Sequence, residues 1–155
     1  MNHPQKGEVK MKKFLLICLV LCLLLTPAFA EEEMTFLSLT KLDETQELLD
    51  SGVTIEKVYY TDGYGFSTSE FTTTDPDEIA ALWAALTAME LGEPSNTFIT
   101  DWYPQIVFYL SDGTHRNVCF DAHWLEIGGR ENYCVLNDEP FWTLTACLVR
   151  KYMGE

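Results

Sequence analysis

The stretch YPQIVFYLSDGTHRNVCFD, residues 103–121, decides the fold because its hydrophobic pattern fixes how two strands pair. Apolar side chains alternate along both halves and define one face: Ile106, Phe108 and Leu110, then Val118 and Phe120. A two-residue Asp-Gly turn would mix apolar and polar faces, whereas a three-residue loop over 111–113 pairs Ile106 with Val118. Since this register keeps the apolar residues together, we predict an antiparallel hairpin with Gly113 in the left-handed conformation.

The opposite face of the second strand collects side chains that suit metal binding or catalysis. They are His115, Asn117, Cys119, Asp121 and His123. At about 3.3 Å per residue, His115 and His123 lie roughly 26 Å apart on a straight strand, so one metal ion cannot use both. Asp121 and His123 could share an ion, but the predicted neighbours supply no third strong ligand. Cys119 is too far from either histidine for the hydrogen bond of about 3 Å that nucleophile activation needs.

We therefore predict no catalytic residue, no metal site and no cofactor. The common nucleophile, zinc-protease, dinucleotide and P-loop motifs do not occur in the sequence. A small secreted hydrolase or metal-dependent enzyme that uses Asp121 and His123 remains the alternative hypothesis.

Strand signals continue on both sides of the hairpin. On the N-terminal side, VTIEKVYY (53–60) and YGFSTSEFTT (64–73) predict another hairpin around an Asp-Gly turn. On the C-terminal side, WLEIGGRENYCVL (124–136) predicts two further strands around Gly-Gly-Arg. The four strands within residues 103–136 are then expected to follow one another as a meander.

Two amphipathic helices accompany these strands. Asp75 suits the N-cap of the first helix, Glu78 would complete a capping box, and Gly92 would end the helix. Its apolar stripe consists of Ile79, Leu82, Trp83, Leu86 and Met89. Alanines cover its back, either because exposed alanine favours helix or because they form a second contact surface. The last helix begins near Pro140 and extends to Tyr152.

These elements predict an α+β fold, with an antiparallel sheet (hairpin plus meander) and two helices packed on one face. The single α+β domain is expected to span residues 53–155. An acidic N-terminal segment, 31–52, precedes it, and DETQELLDSG (43–52) within that segment predicts a short helix.

Residues 1–30 are predicted to be a signal peptide. Two lysines precede an apolar run over 14–25, and Ala-Phe-Ala at 28–30 offers a cleavage site. The run is short of the roughly 20 residues that span a bilayer. Translation could start at Met1 or Met11. We predict a secreted or extracytoplasmic product that begins near Glu31 and has no stable membrane anchor after cleavage.

Charge and cysteine content exclude several classes of function. The chain has 10 Lys and Arg against 24 Asp and Glu; four of the lysines and one glutamate lie in residues 1–30, so residues 31–155 carry 6 and 23, a net charge of −17. Such a surface repels phosphate backbones, so we predict no nucleic-acid partner. The three cysteines of this region, Cys119, Cys134 and Cys147, lack zinc-site spacing and are expected to stay reduced.

Aromatic side chains are the remaining candidates for function. Tyrosines surround the turn at Asp62, and Trp102 opens a strand. Tyrosine and tryptophan on an outer face can form a binding platform, although cross-strand packing in an ordinary hairpin explains them equally well. The candidate binding residues are Tyr59, Tyr60, Tyr64, Trp102, Tyr109, Asp121 and His123.

Three runs carry a resemblance: TTTDPDEIAALWAAL (72–86), IVFYLSDGT (106–114) and NYCVL (132–136). They resemble small secreted or lipoprotein domains of unknown function from Gram-positive bacteria, over about residues 53–152. The resemblance implies an extracytoplasmic location and no catalytic residue. The lipid-anchoring cysteine motif of the lipoprotein members is missing here.

The sequence thus predicts an extracytoplasmic, non-enzymatic binding or protein-interaction domain. Its ligand would be a protein, a small molecule or a glycan. An envelope protein that acts through the alanine-backed helix is a further hypothesis.

Overall fold

The computed structural model describes residues 34–63, 69–95, 104–120, 124–127 and 131–154. Met34–Glu155 forms one compact unit. The helices within the described residues are α1 (Phe36–Thr40), α2 (Leu42–Asp50), α3 (Pro76–Thr87) and α4 (Glu139–Met153). The strands are β1 (Ile55–Thr61), β2 (Glu70–Thr73), β3 (Glu90–Ser95), β4 (Gln105–Leu110), β5 (His115–Cys119), β6 (Trp124–Ile127) and β7 (Glu131–Leu136).

The strands form two antiparallel sheets, which confirms the predicted α+β class. The first sheet has the order β2-β1-β4-β5 and the second has the order β3-β7-β6. The prediction of one meander over 103–136 is wrong, because β6 and β7 leave the first sheet and pair with β3. In this pairing, the apolar side chains of Leu125 and Val135 are buried in the core.

β3 was not predicted from the sequence, because it contains a glycine and a proline, which rarely indicate a strand. The prediction that Gly92 ends the helix is wrong, because α3 already ends at Thr87 and Gly92 lies within β3. Proline lacks a backbone N–H, so within sheets it suits an edge strand, and β3 is an edge of the second sheet. The ladder with β7 shifts register between Leu91 and Pro94.

The hairpin of β4 and β5 has the predicted register. Ile106 pairs with Val118, and the backbone N–H of Leu110 donates to the carbonyl oxygen of Thr114 at 2.9 Å. Gly113 has a φ of 85°. Val118 is 2% exposed whereas Asn117 is exposed, as predicted; Asp121 lies outside the described residues.

Gly113 provides a test of this loop. A Cβ added at Gly113 would meet nothing within 4 Å, so only the positive φ opposes substitution. We expect Gly113→Ala to lower the free energy of unfolding by about 1 kcal/mol, because the left-handed region disfavours a Cβ. Gly113→Asn should cost clearly less, since asparagine tolerates this conformation. Urea denaturation of the three proteins would measure both effects, and an equal loss in both variants would contradict the conformational explanation.

The core collects apolar side chains from both sheets and from the helices. Phe36 of α1 and Leu42 of α2 belong to it, so the segment before β1 contributes to the same core. Trp83 of α3 meets the ring of Phe108 edge-on, with 5.3 Å between centroids. The predicted stripe of α3 is confirmed for Ile79, Leu82 and Leu86, which are buried. Met89 is buried as well, but it follows the end of the helix.

The predicted capping box of α3 is only half correct. The Asp75 carboxylate accepts from the backbone N–H groups of Asp77 and Glu78, but the backbone N–H of Asp75 donates to Thr73 Oγ1 at 3.1 Å. The Glu78 carboxylate does not accept from the backbone N–H of Asp75. It accepts from three side-chain donors instead. These donors are Thr73 Oγ1, Tyr152 OH at 2.9 Å and the ammonium group of Lys151.

This arrangement joins the N-terminus of α3 to the C-terminus of α4. Partial burial raises the pKa of Glu78, but the hydrogen bonds from Lys151, Thr73 and Tyr152 outweigh it and hold the pKa below its usual 4.5. The charged carboxylate is therefore the form that the fold favours.

Candidate binding face

The first sheet has one side turned to the core and one side turned away from it. We call the second side the outer face. Residues that pair across an antiparallel sheet share a face, so the register identifies its members: Lys57, Tyr59, Thr61, Glu70, Thr72, Gln105, Val107, Tyr109, His115, Asn117 and Cys119. The predicted candidates Tyr59 and Tyr109 both lie on it.

The outer face is organised in cross-strand rows over β1, β4 and β5. One row is Lys57, Tyr109 and His115, and the next is Tyr59, Val107 and Asn117. Val107 lies at the centre and is only 6% exposed, whereas His115 and Asn117 are exposed. The face thus surrounds a small apolar centre with rings and polar groups.

The row of Lys57, Tyr109 and His115 brings a cation and two rings into contact. The ammonium nitrogen of Lys57 lies 3.9 Å from the centroid of the Tyr109 ring. The ring centroids of Tyr109 and His115 are 6.1 Å apart, with an angle of 33° between planes. An ammonium over a tyrosine face is attracted by the ring quadrupole, so the contact holds the lysine against the sheet.

Tyr59 is fixed in the next row of the face, opposite Val107. Its hydroxyl donates to Glu70 Oε2 at 2.9 Å. This hydrogen bond and partial burial raise the pKa of Tyr59 above its usual 10, so the phenol stays neutral at physiological pH. The ring is half-buried and remains partly open to solvent.

Tyr60 does not belong to this surface, because it faces the core. It is 5% exposed and its ring stacks on Phe71 with centroids 5.3 Å apart. Burial, followed by the negative charge of Asp62, raises the pKa of Tyr60 to about 12. We therefore drop Tyr60 from the candidate binding residues. The other candidates lie outside the described residues: Tyr64, Trp102, Asp121 and His123.

Lys57 was missed by the sequence reasoning, although a signal was present. Ile55 and Val58 both contact the core, which a regular two-residue alternation does not allow. A register shift between Ile55 and Lys57 resolves the conflict and places Lys57 opposite Tyr109. A broken alternation of this kind indicates a β-bulge.

The second sheet carries a concave surface. An open groove of about 620 Å³ is lined by Leu91, Gly92, Glu93, Pro94, Trp124, Cys134 and Leu136. A Cβ at Gly92 would lie 3.2 Å from the carbonyl oxygen of Cys134, so glycine at this position allows β3 to approach β7 closely. Cys134, like Cys119 and Cys147, is a free thiol.

In the part of the chain that the structure describes, no three potential ligands come together as a metal site. None of the helices there has the length and apolar composition to span a membrane. Comparison with protein-family models, with curated proteins and with solved structures finds no match for this chain.

Proposed function

We infer that this protein is an extracytoplasmic, non-enzymatic binding domain whose ligand contacts the outer face of the first sheet. The observation that carries the proposal is the placement of two half-buried tyrosines beside Lys57 and His115 on adjacent paired strands. Tyrosine combines a large apolar ring with a hydrogen-bonding group, which suits recognition of an amphipathic ligand.

The sheet holds these side chains in a fixed arrangement. Glu70 anchors the hydroxyl of Tyr59, and Lys57 covers one side of the Tyr109 ring. Side chains that are ordered before binding lose little conformational entropy when a ligand arrives, so more of the contact energy appears as affinity. Among the described residues of this face, the Cys119 thiol lies beside the Asn117 amide, and the function that we propose for the face is recognition.

The proposed location outside the cytoplasm rests on the first thirty residues, with their basic start, apolar run and Ala-Phe-Ala. The net charge of −17 for residues 31–155 is compatible with it, since a strongly charged surface keeps an exported domain soluble.

Photo-crosslinking in the producing cells would test the binding face. We expect a benzophenone amino acid in place of Cys119, an exposed position on the outer face, to form a specific adduct. The same substitution at Thr143, an exposed position on α4, should form none. In a Tyr59→Ala background the adduct should fall about fivefold or more, since one aromatic anchor commonly contributes ~1–2 kcal/mol or more. The mass of the adduct should equal the sum of the protein and the intact ligand, as expected for binding without chemistry. Equal adducts from positions 119 and 143, or no dependence on Tyr59, would contradict the proposal.

A further inference from the structure

We propose that Lys57, Tyr109 and His115 form a subsite for a sugar ring that bears a single carboxylate, so that the ligand of the outer face is an acidic sugar or the acidic unit of a glycan. This inference rests on the proposed function, because it names the ligand class of the same face.

The first step is the position of Lys57. Without the register shift after Ile55, residue 57 would lie opposite Phe108 on the core side. The extra residue in β1 turns the lysine to the outer face, opposite Tyr109. A bulge breaks ladder hydrogen bonds, and bulges of this kind commonly redirect a side chain at a functional surface.

The second step is the charge around Lys57. Between described residues, ion pairs join Arg116 to Glu44 and Lys151 to Glu78. Lys57 takes part in neither of them and lies over the Tyr109 ring instead. An ammonium group on an aromatic face keeps its positive charge and its N–H donors available for an anion.

The carboxylates nearest to this row in sequence and register do not neutralise it. Glu56 is exposed beside the bulge, and no ion pair between described residues joins it to Lys57. Glu70 lies on β2 and accepts the hydrogen bond from Tyr59. Among the described residues of the face, the other titratable side chains are Tyr59, Tyr109, His115 and Cys119, and Lys57 is the cation of its row.

The third step is the amount of charge that the ligand carries. Residues 31–155 have a net charge of −17, and this field repels a densely charged polyanion. A single lysine beside a histidine can still attract one negative group at short range, because the distant charges are screened within about 8–10 Å. One carboxylate on an otherwise neutral molecule fits both conditions.

The fourth step is the shape of the partner. His115 is exposed and offers a ring surface, and exposed Asn117 adds an amide donor and acceptor. Tyr109 lies between β1 and β5 with Lys57 over one side of its ring, so it adds the part of the ring that the lysine leaves open. A pyranose ring has an apolar C–H face that stacks on an aromatic ring, and hydroxyls at its rim that bond to amides. A uronate therefore matches the row, because its ring, its hydroxyls and its single carboxylate each meet a partner there.

The test uses a matched pair of probes with the purified full chain. Methyl β-glucuronide and methyl β-glucoside differ only in a carboxylate against a hydroxymethyl group. We expect the glucuronide to shift the amide NMR signals of Tyr109, His115 and Asn117, with a dissociation constant about fivefold below that of the glucoside. That ratio is the order of magnitude for one exposed ion pair.

The preference should disappear in Lys57→Met and persist in Lys57→Arg, which keeps the charge; unchanged thermal unfolding of both variants excludes a folding defect. Equal affinities, a preference that survives in Lys57→Met, shifts at other residues, or no binding of either glycoside would overturn the subsite. Tighter binding of N-acetylglutamate α-amide than of the glucuronide would overturn the sugar assignment. In each of these cases a specific adduct at position 119 would still support the binding domain, whereas loss of that adduct would remove the proposed function itself.

Discussion

Replacement of Phe120 by alanine is expected to lower the free energy of unfolding by about 3–5 kcal/mol, the usual cost of deleting a buried phenylalanine ring. Phe120 is 1% exposed. Its ring centroid lies 5.6 Å from that of Phe141 and 5.3 Å from that of Trp142, so it joins the end of β5 to α4. Phe36 stacks on it at 6.3 Å, which adds α1 to the same contact.

The adjacent residue supplies the control. Cys119 is exposed on the outer face, so Cys119→Ala should change the stability by less than about 0.5 kcal/mol. Urea denaturation followed by tryptophan fluorescence would measure both variants, with Trp142 as a reporter beside the ring. A loss below about 1.5 kcal/mol in Phe120→Ala would show that the ring is not packed as described.

Replacement of Glu78 by alanine should cost about 2–3 kcal/mol at neutral pH, because it removes the acceptor of three donors. Thr73, one of these donors, is 1% exposed, and its hydroxyl would lose its carboxylate partner. Glu78→Gln should cost less, since an amide oxygen can still accept from Thr73 or Tyr152. Glu139, exposed in the first turn of α4, is the matched control, and Glu139→Ala should stay within about 0.5 kcal/mol.

The same carboxylate predicts a pH dependence with a definite sign. The pKa of Glu78 is lowered from 4.5 in the folded chain, so its stabilisation is present above pH 4.5 and is lost as the pH falls through the lowered value. The difference in unfolding free energy between the parent protein and Glu78→Ala should therefore shrink between about pH 7 and about pH 3. A difference that stays constant over this range would contradict the hydrogen-bonded, charged state of Glu78.

The candidate face could be predicted in part. Alternation along residues 115–119 correctly placed His115, Asn117 and Cys119 away from the core. The same reasoning could not separate Tyr59 from its neighbour Tyr60, because both fit a strand and no register for β1 was available. The bulge after Ile55 decides which of them faces outward, and it also brings Lys57 to the face.

The sequence by itself determined the elements whose signals are local. The three-residue loop with Gly113 follows from the alternation on its two sides. α3 follows from Asp75 at its N-cap and from one apolar stripe, and α4 follows from its apolar period after Pro140. Strand period, helix period and turn conformation each depend on residues a few positions apart, so the chain carries this information in short segments.

The tertiary structure decided which segments pair. β3 contains Gly92 and Pro94, which weaken any local strand signal, and it becomes a strand because β7 offers it a partner. The Glu78 carboxylate leaves the capping position because α4 brings Lys151 and Tyr152 beside it, 73 and 74 residues along the chain. Strand pairing and side-chain contacts of this kind depend on which apolar faces and hydrogen-bonding groups can be satisfied together in one core. Residues far apart in the chain meet only when that core forms, so a local pattern does not predict their contacts.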